Sequence, residues 1–188
     1  MNYTYAGIGS RETPERTLQL MVVLGCRLAN LGFTLHSGGA RKKDGTGISA
    51  DTAFEQGCDT VSGPKRIWIP YKGFHKSTSE LYTQCDAAIK MAQYYHPQGR
   101  GMSTYVTSMM ARNCYQVLNQ DLNSPVDFVV CWTPGGRVIG GTGQALRIAD
   151  DRDIKVINLF DGTSLDRLAQ HLSSLGVKGL KDADRPVA

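Results

Sequence analysis

The chain has 188 residues, 41% of them hydrophobic and 20% charged, which is enough for a single domain with a complete hydrophobic core. No apolar stretch approaches the ~20 residues that a membrane span needs, and the amino terminus lacks the segments of a secretory signal. We therefore expect a cytoplasmic protein with no membrane contact. The formal net charge of +4 favours anionic partners, but it is mild for a nucleic-acid-binding protein.

The cysteines are scattered and include no CxxC pair, so we predict reduced, mostly buried thiols, no metal site and no resident cofactor. They are Cys26, Cys58, Cys85, Cys114 and Cys131.

Strand-like and helix-like segments alternate along the first third of the chain. The run YTYAGIG predicts a buried strand that feeds a turn. Thr13 as N-cap and Pro14 at the first helical position predict a helix that extends to about Leu31. GFTLHS then predicts a second strand, GGARKKDGTGIS a long polar loop, and a second helix begins near Ala50.

The alternation continues to the end of the chain. KRIWIP predicts a third strand, and helices are expected over about 79–93 and about 104–118. DFVVCWT and IKVINL are continuous apolar runs, typical of central parallel strands covered on both faces. The pattern predicts a doubly wound, mostly parallel α/β sheet in one domain over 1–177, followed by a loosely ordered tail over 178–188.

Glycine-rich loops follow three of the predicted strands. Ligands of open parallel sheets bind beyond the carboxyl ends of the strands, where glycines and helix amino ends present N–H groups to anions. One such loop alone is more often a turn, but three at one sheet edge outline a phosphate or nucleotide site. Its candidate residues are Gly9, Ser10 and Arg11; Ser37, Gly38, Gly39 and Ala40; and Thr133 with Gly140, Gly141, Thr142 and Gly143.

Polar residues on two predicted helices leave alternatives open. Arg112 and Asn113 lie inside the helix over 104–118, so Arg112 either points to solvent or reaches a phosphate in the crevice. Asp51 and Glu55 lie one turn apart at the start of the second helix. The commoner role of such acids is to stabilise the helix dipole, and the alternative is ribose binding or general acid–base catalysis.

Five segments resemble the SLOG superfamily of Rossmann-like proteins, named for its Smf/DprA and LOG members: GIGSRETP, LANLGFTLHSGGA, SADTAFEQG, ARNCYQVL and GGTGQALRIA. The resemblance extends from Tyr5 to about Leu159 and is closest to DprA-like proteins of the type that many bacteriophages encode. It implies a Rossmann-like sheet whose glycine loops bind nucleotides, nucleotide-derived messengers or the phosphates of single-stranded DNA. By position, the three glycine loops, Asp51 and the Arg112–Asn113 pair match the binding segments of the family.

Two departures from the family pattern bear on function. RKKDGTGIS separates Ala40 from Ala50, and this insertion forms either a flap over the site or a solvated loop. LOG phosphoribohydrolases carry a glutamate where this chain has Gln144, and an amide cannot donate and recover a proton. Binding of a nucleotide-derived phosphate is therefore favoured. A DprA-like mediator that binds single-stranded DNA, and a nucleotide N-glycosidic hydrolase using Asp51 or Glu55, are the alternatives; a homo-oligomer is expected by analogy.

Overall fold

The computed structural model describes residues 3–42, 45 and 47–177. Within this part of the chain, parallel strands form a single five-stranded sheet with the order β3-β2-β1-β4-β5. This confirms the predicted α/β fold; the predicted tail over 178–188 lies outside the described residues. The strands are β1 (Thr4–Gly7), β2 (Thr34–Ser37), β3 (Lys65–Ile67), β4 (Phe128–Cys131) and β5 (Lys155–Asn158).

Six α-helices among the described residues flank the sheet. Helices α1 and α2 pack against each other, and α4 packs against both α3 and α5. The helices are α1 (Glu15–Asn30), α2 (Ala50–Asp59), α3 (Asp86–Tyr95), α4 (Thr104–Leu118), α5 (Gly140–Asp151) and α6 (Ser164–Ser174). None of the helices in the described ranges is long and apolar enough to cross a membrane.

The strand order fixes where a ligand crevice can form. Strands β2 and β3 lie on one side of β1, and β4 and β5 lie on its other side. The direction in which successive strands are added to the sheet therefore reverses between β1 and β4. The two strands are in register through Ala6 with Val129 and Gly7 with Val130. The crevice of an open α/β sheet opens at such a reversal, beyond the carboxyl ends of the strands.

Buried aromatic rings form much of the core on one side of the sheet. Tyr5, Phe33, Phe54 and Phe128 are all fully buried, with ring centroids between 5.5 and 6.5 Å apart in the contacting pairs. Every residue of β4 is buried, as its continuous apolar sequence predicts. The core and the strand register therefore hold β1 and β4 side by side.

Three element boundaries differ from expectation. Helix α3 begins at Asp86 rather than near residue 79, because Ser79 Oγ donates to Ile67 O at 2.6 Å and Ile69 N to Leu81 O at 2.9 Å. These bonds hold the segment beside the end of β3. Helix α1 has Pro14 as its N-cap. The Thr13 hydroxyl instead donates to Ser10 O at 2.6 Å.

The third difference concerns the glycines at 140–143. They were expected to form a loop before a helix, but Gly140 begins α5 and all four belong to its first turn. Gly140 adopts a φ of +63°, a backbone conformation that strongly favours glycine. Helix α4, in contrast, has the predicted bounds of Thr104–Leu118.

Candidate functional site

A cleft of about 400 Å³ lies at the carboxyl ends of β1 and β4, within the usual size range of small-molecule sites. The loop after β1, the start of α2, the helix α4 and the amino end of α5 all contribute to its lining. The cleft brings together predicted site residues that are distant in sequence. They are Gly9, Ser10, Arg11, Ala40, Asp51, Arg112, Asn113, Gly140, Gly141 and Thr142.

Other predicted residues lie behind this lining. Ser37 is buried, and its hydroxyl donates to Gly7 O at 2.6 Å. Thr133 is buried, and its hydroxyl accepts from Asn158 Nδ2 at 2.7 Å. Gly39 has a φ of +61° and lies close to Ile67 and Ile69. These residues support the cleft from behind.

Glu55 lies apart from the cleft. Its carboxylate accepts a hydrogen bond from Lys65 Nζ at 2.9 Å, and it is not part of the cleft lining. One helical turn separates Glu55 from Asp51, but Asp51 turns inward toward α4. Of the two candidate catalytic acids, only Asp51 lines the cleft.

A buried ion pair joins α2 to α4 at the cleft. Arg112 Nη1 lies 3.0 Å from Asp51 Oδ2, and each side chain is only 6% exposed. The same carboxylate oxygen accepts a hydrogen bond from the backbone N–H of Ala40 at 3.3 Å. Burial of a charge requires such partners, so the solvent-facing alternative for Arg112 is wrong.

Gln116 completes this arrangement, although it was not among the predicted site residues. It follows Arg112 by one turn of α4 and is buried. In the amide orientation that satisfies its neighbours, its oxygen accepts from Arg112 Nη1 at 3.0 Å and from Gly38 N at 2.7 Å. Its nitrogen donates to Asn113 Oδ1 at 2.9 Å. The i, i+4 spacing from Arg112 could have identified it.

Gly38 is the close neighbour of the Arg112 guanidinium. A Cβ atom at Gly38 would lie 1.0 Å from Arg112 Nη1 and 2.3 Å from its Cζ. The absent side chain therefore makes room for the ion pair.

The amino end of α5 opens into the cleft. Its N-cap, Ile139, supplies no capping side chain, although the first N–H groups of a helix have no partner within the helix. The backbone N–H of Gly143 donates to Ile139 O at 2.9 Å, which is the first helical hydrogen bond of α5. Asn113 Nδ2 donates to Gly141 O at 3.0 Å and so tethers this turn to α4. The first turn of α5, at the positive end of its helix dipole, is therefore part of the cleft lining.

Gln144 points away from the cleft. It is fully buried, and its Nε2 contacts Cys114 Sγ at 3.5 Å. The position that resembles the catalytic glutamate of LOG enzymes is therefore packed against α4. Asp51 is tied to Arg112, and groups of three or more His, Cys, Asp or Glu that could hold a metal are absent from the described residues.

Basic groups lie beside the cleft on the side of the insertion. His75 Nδ1 accepts from the backbone N–H of Arg41 at 2.9 Å. Burial lowers the pKa of His75, and the nearby charges of Arg11, Arg41 and Arg112 lower it further. The ends of the insertion pair through an antiparallel bridge between Arg41 and Ile48; residues 43, 44 and 46 lie outside the described residues.

No protein-family model matches the sequence, and no curated protein matches it. Two solved structures are similar. One is the Moco carrier protein of Chlamydomonas rheinhardtii, with a TM-score of 0.51 and 13% identity over 93% of this chain and 87% of that chain. The other is DNA processing protein A of Helicobacter pylori, a single-stranded-DNA-binding protein, with a TM-score of 0.50 and 14% identity over 96% of this chain and 76% of that chain. At these identities the likeness concerns the fold alone, and the chain shares the Rossmann-like α/β fold of both proteins.

Proposed function

We propose that the cleft binds a nucleotide or nucleotide-derived phosphate ligand, with the phosphate at the amino end of α5. The observation that carries this proposal is the uncapped first turn of α5, whose residues Gly140, Gly141 and Thr142 line the cleft. Free N–H groups and the positive dipole end make a helix amino terminus a binding site for anions. Membership of the SLOG superfamily, closeness to phage-type DprA-like proteins and self-association stay predictions.

Arg112 supports the same assignment. It lines the cleft although it is 95% buried, and its Nε has no hydrogen-bond partner among the described residues. A buried donor of this kind calls for a specific explanation. A ligand oxygen would give the guanidinium a further charge-assisted hydrogen bond.

A charge substitution at Thr142 tests the proposal with AMP as the probe. Thr142→Asp puts a carboxylate where the phosphate is expected, yet an acid in the first helical turn stabilises the helix by about 0.3–1 kcal/mol. We expect calorimetric AMP affinity to fall at least about tenfold, with no loss of thermal stability. The control is Thr142→Asn, because asparagine has nearly the same shape as aspartate but no charge. Its AMP affinity should stay within about threefold of the wild-type value. AMP affinity that is unchanged in Thr142→Asp contradicts the proposal.

Binding of single-stranded DNA is the second candidate, favoured by the guanidinium groups of Arg11 and Arg41 beside the cleft. A chain of phosphates could continue from the cleft across these groups. A fluorescent oligothymidine should then bind at low salt, and log affinity should fall linearly with log salt concentration because counterions are released. Arg41→Ala should reduce this slope and leave AMP affinity unchanged. No retention of the oligonucleotide at low salt rejects this candidate.

A further inference from the structure

Part of the cleft lining is apolar, which a phosphate alone does not need. Tyr105, Val106 and Met109 of α4 contribute to it together with Pro134 and Ile139. Val106 is half-buried and Met109 is buried, whereas Tyr105 is 49% exposed. An exposed aromatic ring on the rim of a cleft provides a surface for another planar group.

The position of Tyr105 on α4 relates it to the charged part of the site. Tyr105, Met109 and Arg112 follow the i, i+4, i+7 spacing of a single helix face. Seven residues of helix rise by about 10 Å. A ligand that contacts both Tyr105 and the charged end of the cleft must therefore be larger than a phosphate ion.

We infer that Tyr105 is the stacking platform for the heterocyclic base of the bound nucleotide; this inference rests on the proposed function. The ring of Tyr105 makes no aromatic pair within the described part of the chain, so its exposed face is available to a ligand. Base–aromatic stacking tolerates any base, because every base has a π-face. The thioether of Met109 one turn away adds a polarisable contact that suits planar rings.

This assignment gives the cleft two functional ends. The amino end of α5 and Arg112 bind the phosphate, and Tyr105 with Met109 binds the base. The ligand class is thus a nucleoside monophosphate or a larger molecule that contains one. A sugar phosphate without a base would use only the charged end and bind more weakly.

Calorimetry with AMP and with ribose 5-phosphate tests the inference on the full chain. AMP should bind wild-type protein about tenfold more tightly than ribose 5-phosphate, as expected for one stacked base. Tyr105→Ala should remove this difference by weakening AMP alone, and its unchanged affinity for ribose 5-phosphate shows that the fold and the phosphate site are intact. Tyr105→Phe keeps the ring and should retain the preference. Tyr94→Ala is the matched control, because Tyr94 is 80% exposed and lies outside the cleft lining.

The outcomes separate the inference from the proposed function. Equal affinity of wild type for the two probes, or an AMP preference that persists in Tyr105→Ala, overturns the base-stacking role and leaves phosphate binding in place. Failure of AMP, GMP, CMP, UMP and ribose 5-phosphate all to bind overturns the proposed function and the inference together.

Discussion

Replacement of Gly38 by alanine tests whether the Asp51–Arg112 pair organises the site. The added methyl carbon would lie 1.0 Å from Arg112 Nη1 and 2.5 Å from the side-chain amide of Gln116. Two non-bonded atoms cannot approach so closely, so the guanidinium must leave its position. Because both members of the pair are 6% exposed, Asp51 would then lose its charged partner inside the protein.

The size of the effect follows from that loss. Removal of one partner from a buried ion pair costs about 3–5 kcal/mol, so we expect Gly38→Ala to lower the free energy of unfolding by about that amount. Gly162→Ala is the control, since a Cβ there meets no atom within 4 Å, and it should stay within about 0.5 kcal/mol of wild type.

Urea unfolding followed by circular dichroism measures both variants, and equal m-values would show that the same surface is exposed. A Gly38→Ala protein as stable as Gly162→Ala would refute the reasoning, because the guanidinium could then move at no cost. AMP affinity should also fall in Gly38→Ala, since Arg112 is displaced from the cleft.

Two further predictions concern residues outside the cleft lining. Burial, assisted by the charge of Arg66, lowers the pKa of His36 from 6.5 to about 4, so the unfolded chain binds more protons below pH 6.5 and stability falls with acidification. Between pH 7 and pH 5 the protonation of this single group should lower the free energy of unfolding by about 2 kcal/mol. Urea unfolding of His36→Phe should show a loss of stability over this pH range that is smaller by that amount, and a pH dependence equal to that of the wild type would contradict the prediction. Glu55→Gln should leave AMP affinity unchanged in calorimetry, because Glu55 pairs with Lys65 and both lie outside the cleft lining. A tenfold loss of AMP affinity would show that Glu55 takes part in binding.

The fold could be predicted from the sequence because its signals are local. Continuous apolar runs such as that of β4 mark buried parallel strands, and alternation with helices limits the possible topologies. The predicted helical start near residue 79 is wrong because Ser79 hydrogen-bonds to Ile67 at the end of β3 and Leu81 to Ile69 just after it. That pairing joins residues more than ten positions apart, and helical periodicity carries no information about it.

The location of the candidate cleft could be predicted from the sequence, but its internal contacts could not. Carboxyl ends of parallel strands meet at one edge, so loops after β1 and β4 had to be neighbours. The partners of Arg112 were not predictable, because Asp51 is 61 residues away and Gly38 looks like any phosphate-loop glycine. The start of α5 was missed because Ile139 is no capping residue. An uncapped helix start gives no sequence signal, and in this cleft it is the feature on which the proposed ligand binding rests.

If the cleft binds a phosphate as proposed, the ion pair also determines which group contributes most to the affinity. The charge of Arg112 is already balanced by Asp51, whereas the amino end of α5 has no capping side chain. We therefore expect Arg112→Lys, which keeps the charge but loses the planar fork, to weaken AMP binding by only a few-fold. Thr142→Asp should weaken it at least about tenfold, by repulsion at the helix terminus. Calorimetry with AMP compares the loss of affinity in the two variants. A larger loss in Arg112→Lys than in Thr142→Asp would mean that Arg112, and not the amino end of α5, is the main phosphate-binding group.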